Sequence, residues 1–183
     1  GERTADDVAV YGARLGKGAN EWSEPFVMAD RPGFPDCNTC MMIDSQNRLW
    51  LFWPTILANT WESCLTNYQF STDYQGDGPP QWDWHGTIFL KPLDFEEEML
   101  RGLNRRLESL GASAPKTESL ENIKKLIAGK LDQRLGWQPR CKPTVLPSGR
   151  ILLPLYSDTY SFSLMAISDD NGKTWFASKR LMG

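Results

Sequence analysis

The chain has 183 residues, 40% hydrophobic and 23% charged, with a formal net charge of −3. That profile fits a globular chain long enough to bury its own core. It excludes a basic nucleic-acid surface, and no apolar run is long enough to span a membrane.

Apolar and β-branched runs separated by turn residues predict strands over 8–14, 40–44, 48–53, 64–71 and 85–90. Between the first two of these lies Cys37-x-x-Cys40. A zinc site would need a second ligand pair, and His85 is the only histidine, so the spacing does not predict a metal. The motif runs into a strand pattern rather than opening a helix, which leaves unpaired thiols or a disulfide for Cys37, Cys40, Cys64 and Cys141. His85 reads as an outer-strand residue. The pattern then changes period. Phe95, Met99, Leu100, Leu103, Leu107 and Leu110 recur at helical spacing, with Asp94 as the expected cap and Gly111 as the stop. After "ASAPK" a second helix is expected from about 118 to 135, with the stripe Leu120, Ile123, Ile127 and Leu131. Strands resume over 143–147, 150–156 and 162–168. Asn47-Arg48 and Gly149-Arg150 mark tight hairpin turns, because Asn and Gly tolerate positive φ.

The strand segments repeat. "MMIDSQNRLWLFWP" parallels "PTVLPSGRILLPLY", and each leads to a strand closing on Ser-x-Asp, at Ser71–Asp73 and Ser168–Asp170. Discounting a helical insert of roughly forty residues, the period falls in the fifties, the size of a four-stranded propeller blade. Trp22, Trp82 and Trp175 occupy equivalent places. The expected fold is therefore all-β: a partial six-bladed β-propeller of two to three blades, with an α-helical hairpin inserted at about 94–135. About 140 residues of propeller sequence are roughly half a closed ring of that kind. The rest is expected from the same longer protein or from another chain.

"SDDNGKTW", residues 168–175, matches the pattern S-x-D-x-G-x-T-W. Asp170 can accept backbone N–H groups across the turn, and Gly172 supplies an angle that a Cβ hinders. With the repeat around it, this stretch resembles the Asp-box (bacterial neuraminidase repeat) families, the sialidases and their relatives. The resemblance implies that the box lies on the third-to-fourth hairpin of a blade, away from the active site. Asp169 and Asp170 are then structural.

The opposite face is formed by "GERTADD", "PTILANTWES" and "YSDTYS", together with "ADRPGFPDCNT" and the run ending in "GWQPRCKP". It gathers Arg3, Asp6, Asp7, Asp36, Asn38, Trp53, Glu62, Arg140, Lys142, Tyr156 and Asp158. Asn38 and Arg140 fall at corresponding places in the two repeats. The resemblance implies glycosidic cleavage of an anionic sugar, with arginines gripping its carboxylate through bidentate bonds. By position Arg140 is one of these. Asp7, Asp36 and Glu62 are the catalytic candidates, Asp7 and Asp36 for acid–base work. Arg3, Asn38, Trp53, Lys142, Tyr156 and Asp158 are expected to line the substrate. The family's early Arg-Ile-Pro motif is absent, and its nucleophilic Tyr has no counterpart here. A polysaccharide lyase-type propeller and a non-catalytic propeller binding glycans or proteins are the alternatives. The expected partner is a carbohydrate, with no cofactor, nucleic acid or membrane. Family resemblance alone favours a secreted or periplasmic setting.

Overall fold

A computed structural model of the chain describes residues 2–111 and 117–179. Its described strands form three antiparallel sheets. The first pairs β1 (Val10–Gly12) with β2 (Phe26–Ala29). The middle sheet is a four-stranded meander of β3 (Cys40–Ile43), β4 (Leu49–Ile56), β5 (Cys64–Ser71) and β6 (Trp84–Thr87). In the third sheet, β9 (Ile151–Ser157) pairs β10 (Phe162–Ser168), which pairs β11 (Phe176–Ala177). The other edge of β9 carries two short pieces, β7 (Trp137–Pro139) and β8 (Thr144–Val145).

Burial explains why the strands read differently in sequence. β4, LWLFWPTI, is apolar almost throughout because sheets cover both its faces. Leu51 and Trp53 pack with Val10, Met28 and Ala29 of the first sheet. Trp50 and Phe52, with Tyr68 of β5, pack against Ile151, Leu153, Leu155, Leu164 and Ala166 of the third. β9 alternates instead, its odd-numbered residues buried and its even-numbered ones half-buried. Among the described residues, only one of its faces meets another sheet.

The helical hairpin lies where expected. α1 (Phe95–Leu110) docks through Phe95, whose ring lies 4.8 Å from Tyr160 and 6.4 Å from Trp137. Burying such a side chain contributes roughly 1.5–3 kcal/mol. Gly111, at φ 51°, ends α1 with its N–H on the Leu107 carbonyl. Asp94 differs from expectation. It adopts φ 53° and makes no side-chain cap, and the Glu98 N–H bonds to its backbone carbonyl. The second helix is broken: α2 (Thr117–Ala128) and α3 (Lys130–Arg134) flank Gly129. Its apolar stripe therefore ends at buried Ile127, and Leu131 is 71% exposed. The "ASAPK" link lies outside the described residues. Two strands depart from the pattern. β2 and β7 are short, and β7 includes Gln138 and Pro139, so local periodicity does not mark them.

The S-x-D-x-G-x-T-W stretch closes the hairpin between β10 and β11. Asp170 accepts from the Thr174 N–H at 2.9 Å, from its hydroxyl at 2.5 Å and from the Ser168 hydroxyl at 2.9 Å. Ser168 Oγ in turn accepts the Gly172 N–H at 2.8 Å. These bonds favour the ionised form and lower the Asp170 pKa to about 2. Asp170→Ala should cost about 1–2 kcal/mol, as loss of a turn acceptor does. Because the folded pKa is depressed, the contribution is fully present above the unfolded value of 3.8. It is lost as pH falls from there through about 2. Thermal melts of both proteins at neutral and acid pH check this: the gap should narrow on acidification.

Candidate functional site

The register sets the two ends of each sheet apart. In the third sheet Ile151 pairs Ser168, beside the Asp170 turn, and Ser157 pairs Phe162 at the other end. In the middle sheet Leu49 pairs Ser71, and Ile56 pairs Cys64. Seven or eight extended residues separate these ends by roughly 20 Å. The polar residues singled out from the sequence concentrate at the Ser157–Cys64 end.

Both sheets interrupt their first strand near that end. In the third sheet the interruption is the gap between β7 and β8, and Arg140 lies in it. In the middle sheet Asp36 bridges to Thr55, pairing is lost, and it resumes at Cys40 opposite Phe52. Asn38 lies in this gap at φ 45°. A proline stands opposite each interruption, Pro54 on β4 and Pro154 on β9. Pro54 accepts the Cys37 N–H through its carbonyl at 3.3 Å, so its missing donor faces the first strand. Proline cannot continue a ladder there, and the chain bulges. Asn38 and Arg140 thus occupy breaks within the first strands rather than the approaches to them.

One polar chain joins the two breaks. Asn38 Nδ2 donates to Gln138 Oε1 at 2.9 Å, and Gln138 Nε2 donates to Asp158 Oδ2. Asp158 lies 3.9 Å from the Arg140 guanidinium, which sits over the Tyr156 ring at 6.0 Å from its centroid. Gln138 is fully buried, whereas the Arg140 side chain is 51% exposed. A sealed amide therefore orients a carboxylate beside an accessible, loosely paired guanidinium. Sequence reasoning missed Gln138. The signal was a polar residue between Trp137 and Pro139, two positions before Arg140.

The other named residues separate into two groups. Asp36 and Trp53 are sealed in the interior, at 0% and 2% exposure. Asp36 accepts from Trp53 Nε1 at 2.9 Å, from the Thr55 hydroxyl and from the Arg31 N–H at 2.6 Å. Thr55 also accepts from Asn67, which accepts from Thr87. Burial raises the Asp36 pKa despite these donors. The pair braces the fold from the interior. Arg3, Asp6, Asp7 and Glu62 are exposed. Asn59 ties the first of these to the β4–β5 loop through the Arg3 carbonyl and Asp6, each at 3.1 Å. Glu62 lies on a short 3-10 helix, Trp61–Ser63, and its backbone approaches Gly136 so closely that a Cβ there would stand 3.1 Å from the Glu62 carbonyl. Lys142 borders a different space, a groove of about 420 Å³ between β3 and the 142–147 segment.

The four thiols are free. Burial pushes the pKa values of Cys37, Cys40 and Cys64 up to about 12, so they are protonated at neutral pH. Among the described residues, no group of three or more His, Cys, Asp or Glu side chains is placed to hold a metal ion. An apolar cavity of about 350 Å³ lies between α1 and the β10–β11 edge, away from Arg140.

No family model matches the chain, and no curated protein matches it. Among solved structures it is similar to a protein of unknown function from Dyadobacter fermentans DSM 18053, at 15% identity and a TM-score of 0.60. The match covers 98% of this chain and 46% of the other, so this chain spans about half the length of that neighbour. The likeness is one of fold.

Proposed function

We propose that the chain is part of a sialidase-like β-propeller whose Asn38–Arg140–Asp158 face binds an anionic sugar for glycosidic cleavage. The observation that carries this reading is the polar chain through Gln138, which joins the strand breaks of two adjacent sheets at the end opposite the Asp170 turn. Three further features support it. The middle sheet is a four-stranded antiparallel meander of blade size. The Asp170 turn has the bonding that the Asp-box pattern requires. Arg140 has a free fork to offer, because its nearest carboxylate stands at 3.9 Å. An incoming carboxylate would take two charge-assisted bonds from that fork, and Tyr156 would present its ring to the sugar. The rest of the ring comes from further sheets, in the same longer protein or in another chain.

A second reading, a propeller that binds glycans without cleaving them, is favoured by one observation. Asp36, a candidate acid, is sealed behind Trp53 and Thr55, so the face keeps fewer accessible carboxylates than acid–base chemistry would use.

Calorimetry with sialic acid, and with galactose as the uncharged control, tests the shared part of both readings. Losing a hydrogen bond to a charged group costs about 1.5–3 kcal/mol, so Arg140→Ala should weaken sialic acid binding about 10–100-fold. Arg140→Lys should restore little, since an ammonium cannot form the fork. Sialic acid binding by Arg140→Ala equal to the parent's would sink the proposal. Release of sugar from a sialoside then separates the two readings.

A further inference from the structure

Arg140 and Asp158 form a pair that stops short of contact. Their nearest approach is 3.9 Å, from Nη2 to Oδ2, about 1 Å longer than a closed guanidinium–carboxylate bond. Arg150 and Asp169, at the other end of the same sheet, show the closed arrangement. There the fork meets both carboxylate oxygens, at 2.6 and 2.8 Å. Exposure does not explain the difference. The Arg150 and Asp169 side chains are 42% and 51% exposed, and those of Arg140 and Asp158 are 51% and 25% exposed. The pair with the better-shielded carboxylate is the open one.

What differs is a second donor. The Asp158 oxygen that lies 3.9 Å from Arg140 is Oδ2, and that same oxygen accepts from Gln138 Nε2. Gln138 cannot follow Asp158 towards Arg140. It is fully buried on β7, between buried Trp137 and Pro139 and opposite Tyr156. Nor can its amide turn over. An ionised carboxylate only accepts, so the NH₂ end must face Asp158, and the carbonyl end then takes Asn38 Nδ2 at 2.9 Å. Asn38 is itself set in the strand break of the middle sheet at φ 45°. The amide is thus pinned from both sheets, and it pins Asp158 in turn.

We propose that Gln138 is a positioning residue that holds Asp158 off Arg140 and so keeps the guanidinium fork open to a ligand carboxylate. The identity of that ligand as an anionic sugar rests on the function proposed above; the opening of the fork does not. Without the tether, Asp158 closes on Arg140 as Asp169 closes on Arg150. It then competes with the incoming carboxylate for the same N–H groups.

The rate at which phenylglyoxal labels Arg140, mapped by mass spectrometry, reads the open fork with no sugar present. Gln138→Met keeps the buried bulk and removes the donor. Labelling of Arg140 should slow about 3-fold, the occupancy that a closed surface ion pair gives. Gln138→Met combined with Asp158→Asn should label as fast as the parent, because the competing charge is gone. A merely structural role for Gln138 would not produce that rescue. Gln138→Asn, one methylene too short to span Asn38 to Asp158, supplies the same comparison should circular dichroism show Gln138→Met unfolded. Labelling unchanged in the single variant, or slow labelling that persists in the double variant, overturns the inference. Sialic acid should protect Arg140 of the parent from the label. Slow, rescued labelling without that protection overturns only the proposed function, and protection with unchanged labelling in Gln138→Met overturns only this inference.

Discussion

Asp36→Ala should unfold about 6–20 °C below the parent. The carboxylate is fully buried, and three donors converge on it: the Trp53 indole, the Thr55 hydroxyl and the Arg31 N–H. Truncation leaves the buried Trp53 and Thr55 donors and the part-buried Arg31 N–H without this acceptor. Each unsatisfied donor costs about 1–3 kcal/mol, and a sum of about 3–5 kcal/mol allows for local relaxation and some water entry. At about 2–4 °C per kcal/mol for a chain of this size, that gives the stated drop. Asp36→Asn should cost about 1–2 kcal/mol, because one amide oxygen still serves Trp53 and Thr55 while the NH₂ faces another donor at Arg31. Equal melting temperatures for Asp36→Ala and the parent would show that the residue does not brace the strand break.

The two aspartates respond to pH in opposite directions. Burial raises the Asp36 pKa, so the folded state disfavours its charged form. Its contribution is fully present below the unfolded value of 3.8 and declines as pH rises through the folded value. Asp170 is held ionised by its hydrogen bonds and contributes above the same value. Acid therefore loosens the Asp170 turn while leaving the Asp36 brace in place.

How much of this was legible follows from how local each cause is. The Asp170 turn was legible because its partners, Ser168, Gly172 and Thr174, lie within four residues of it. The helical insert was legible as a change of period, although Gly129 breaks it where the stripe appeared continuous. The correspondence of Asn38 and Arg140 was legible from the repeat. Their placement within strand breaks was not, because the cause, a proline lacking an N–H, lies on the neighbouring strand. Gln138 escaped for a similar reason. Its partners, Asn38 and Asp158, are separated from it by 100 and 20 residues. Asp36 carried the chemistry of an acid in its residue type, and only burial shows it sealed. Trp22, Trp82 and Trp175 were legible as equivalent, yet Trp175 packs against Phe52 and Tyr68 and Trp82 against the Val10–Met28–Trp53 cluster, while Trp22 is 66% exposed.

Gly172→Ala should destabilise the chain by about 3–5 kcal/mol, more than removing the Asp170 carboxylate two residues away. Two independent effects add. Gly172 adopts φ +85°, where a Cβ costs about 1–3 kcal/mol. The same Cβ would stand 2.6 Å from Cη2 and 2.9 Å from Cζ3 of Trp50, an indole with no exposed surface. That ring cannot retreat, since Phe52, Tyr68 and Phe70 pack against it with centroids 4.9–6.0 Å away. Overpacking a closed site of this kind typically costs a further 1–3 kcal/mol. The Gly172 carbonyl also accepts from the Tyr68 hydroxyl at 2.5 Å and from Trp175 Nε1 at 3.1 Å, so any shift of the turn strains the contact between the middle and third sheets. Denaturant melts of Gly172→Ala and Asp170→Ala side by side check the order. If Gly172→Ala is the milder of the two, the turn does not lock the sheets together through Trp50, and its bonds to Asp170 serve only the hairpin.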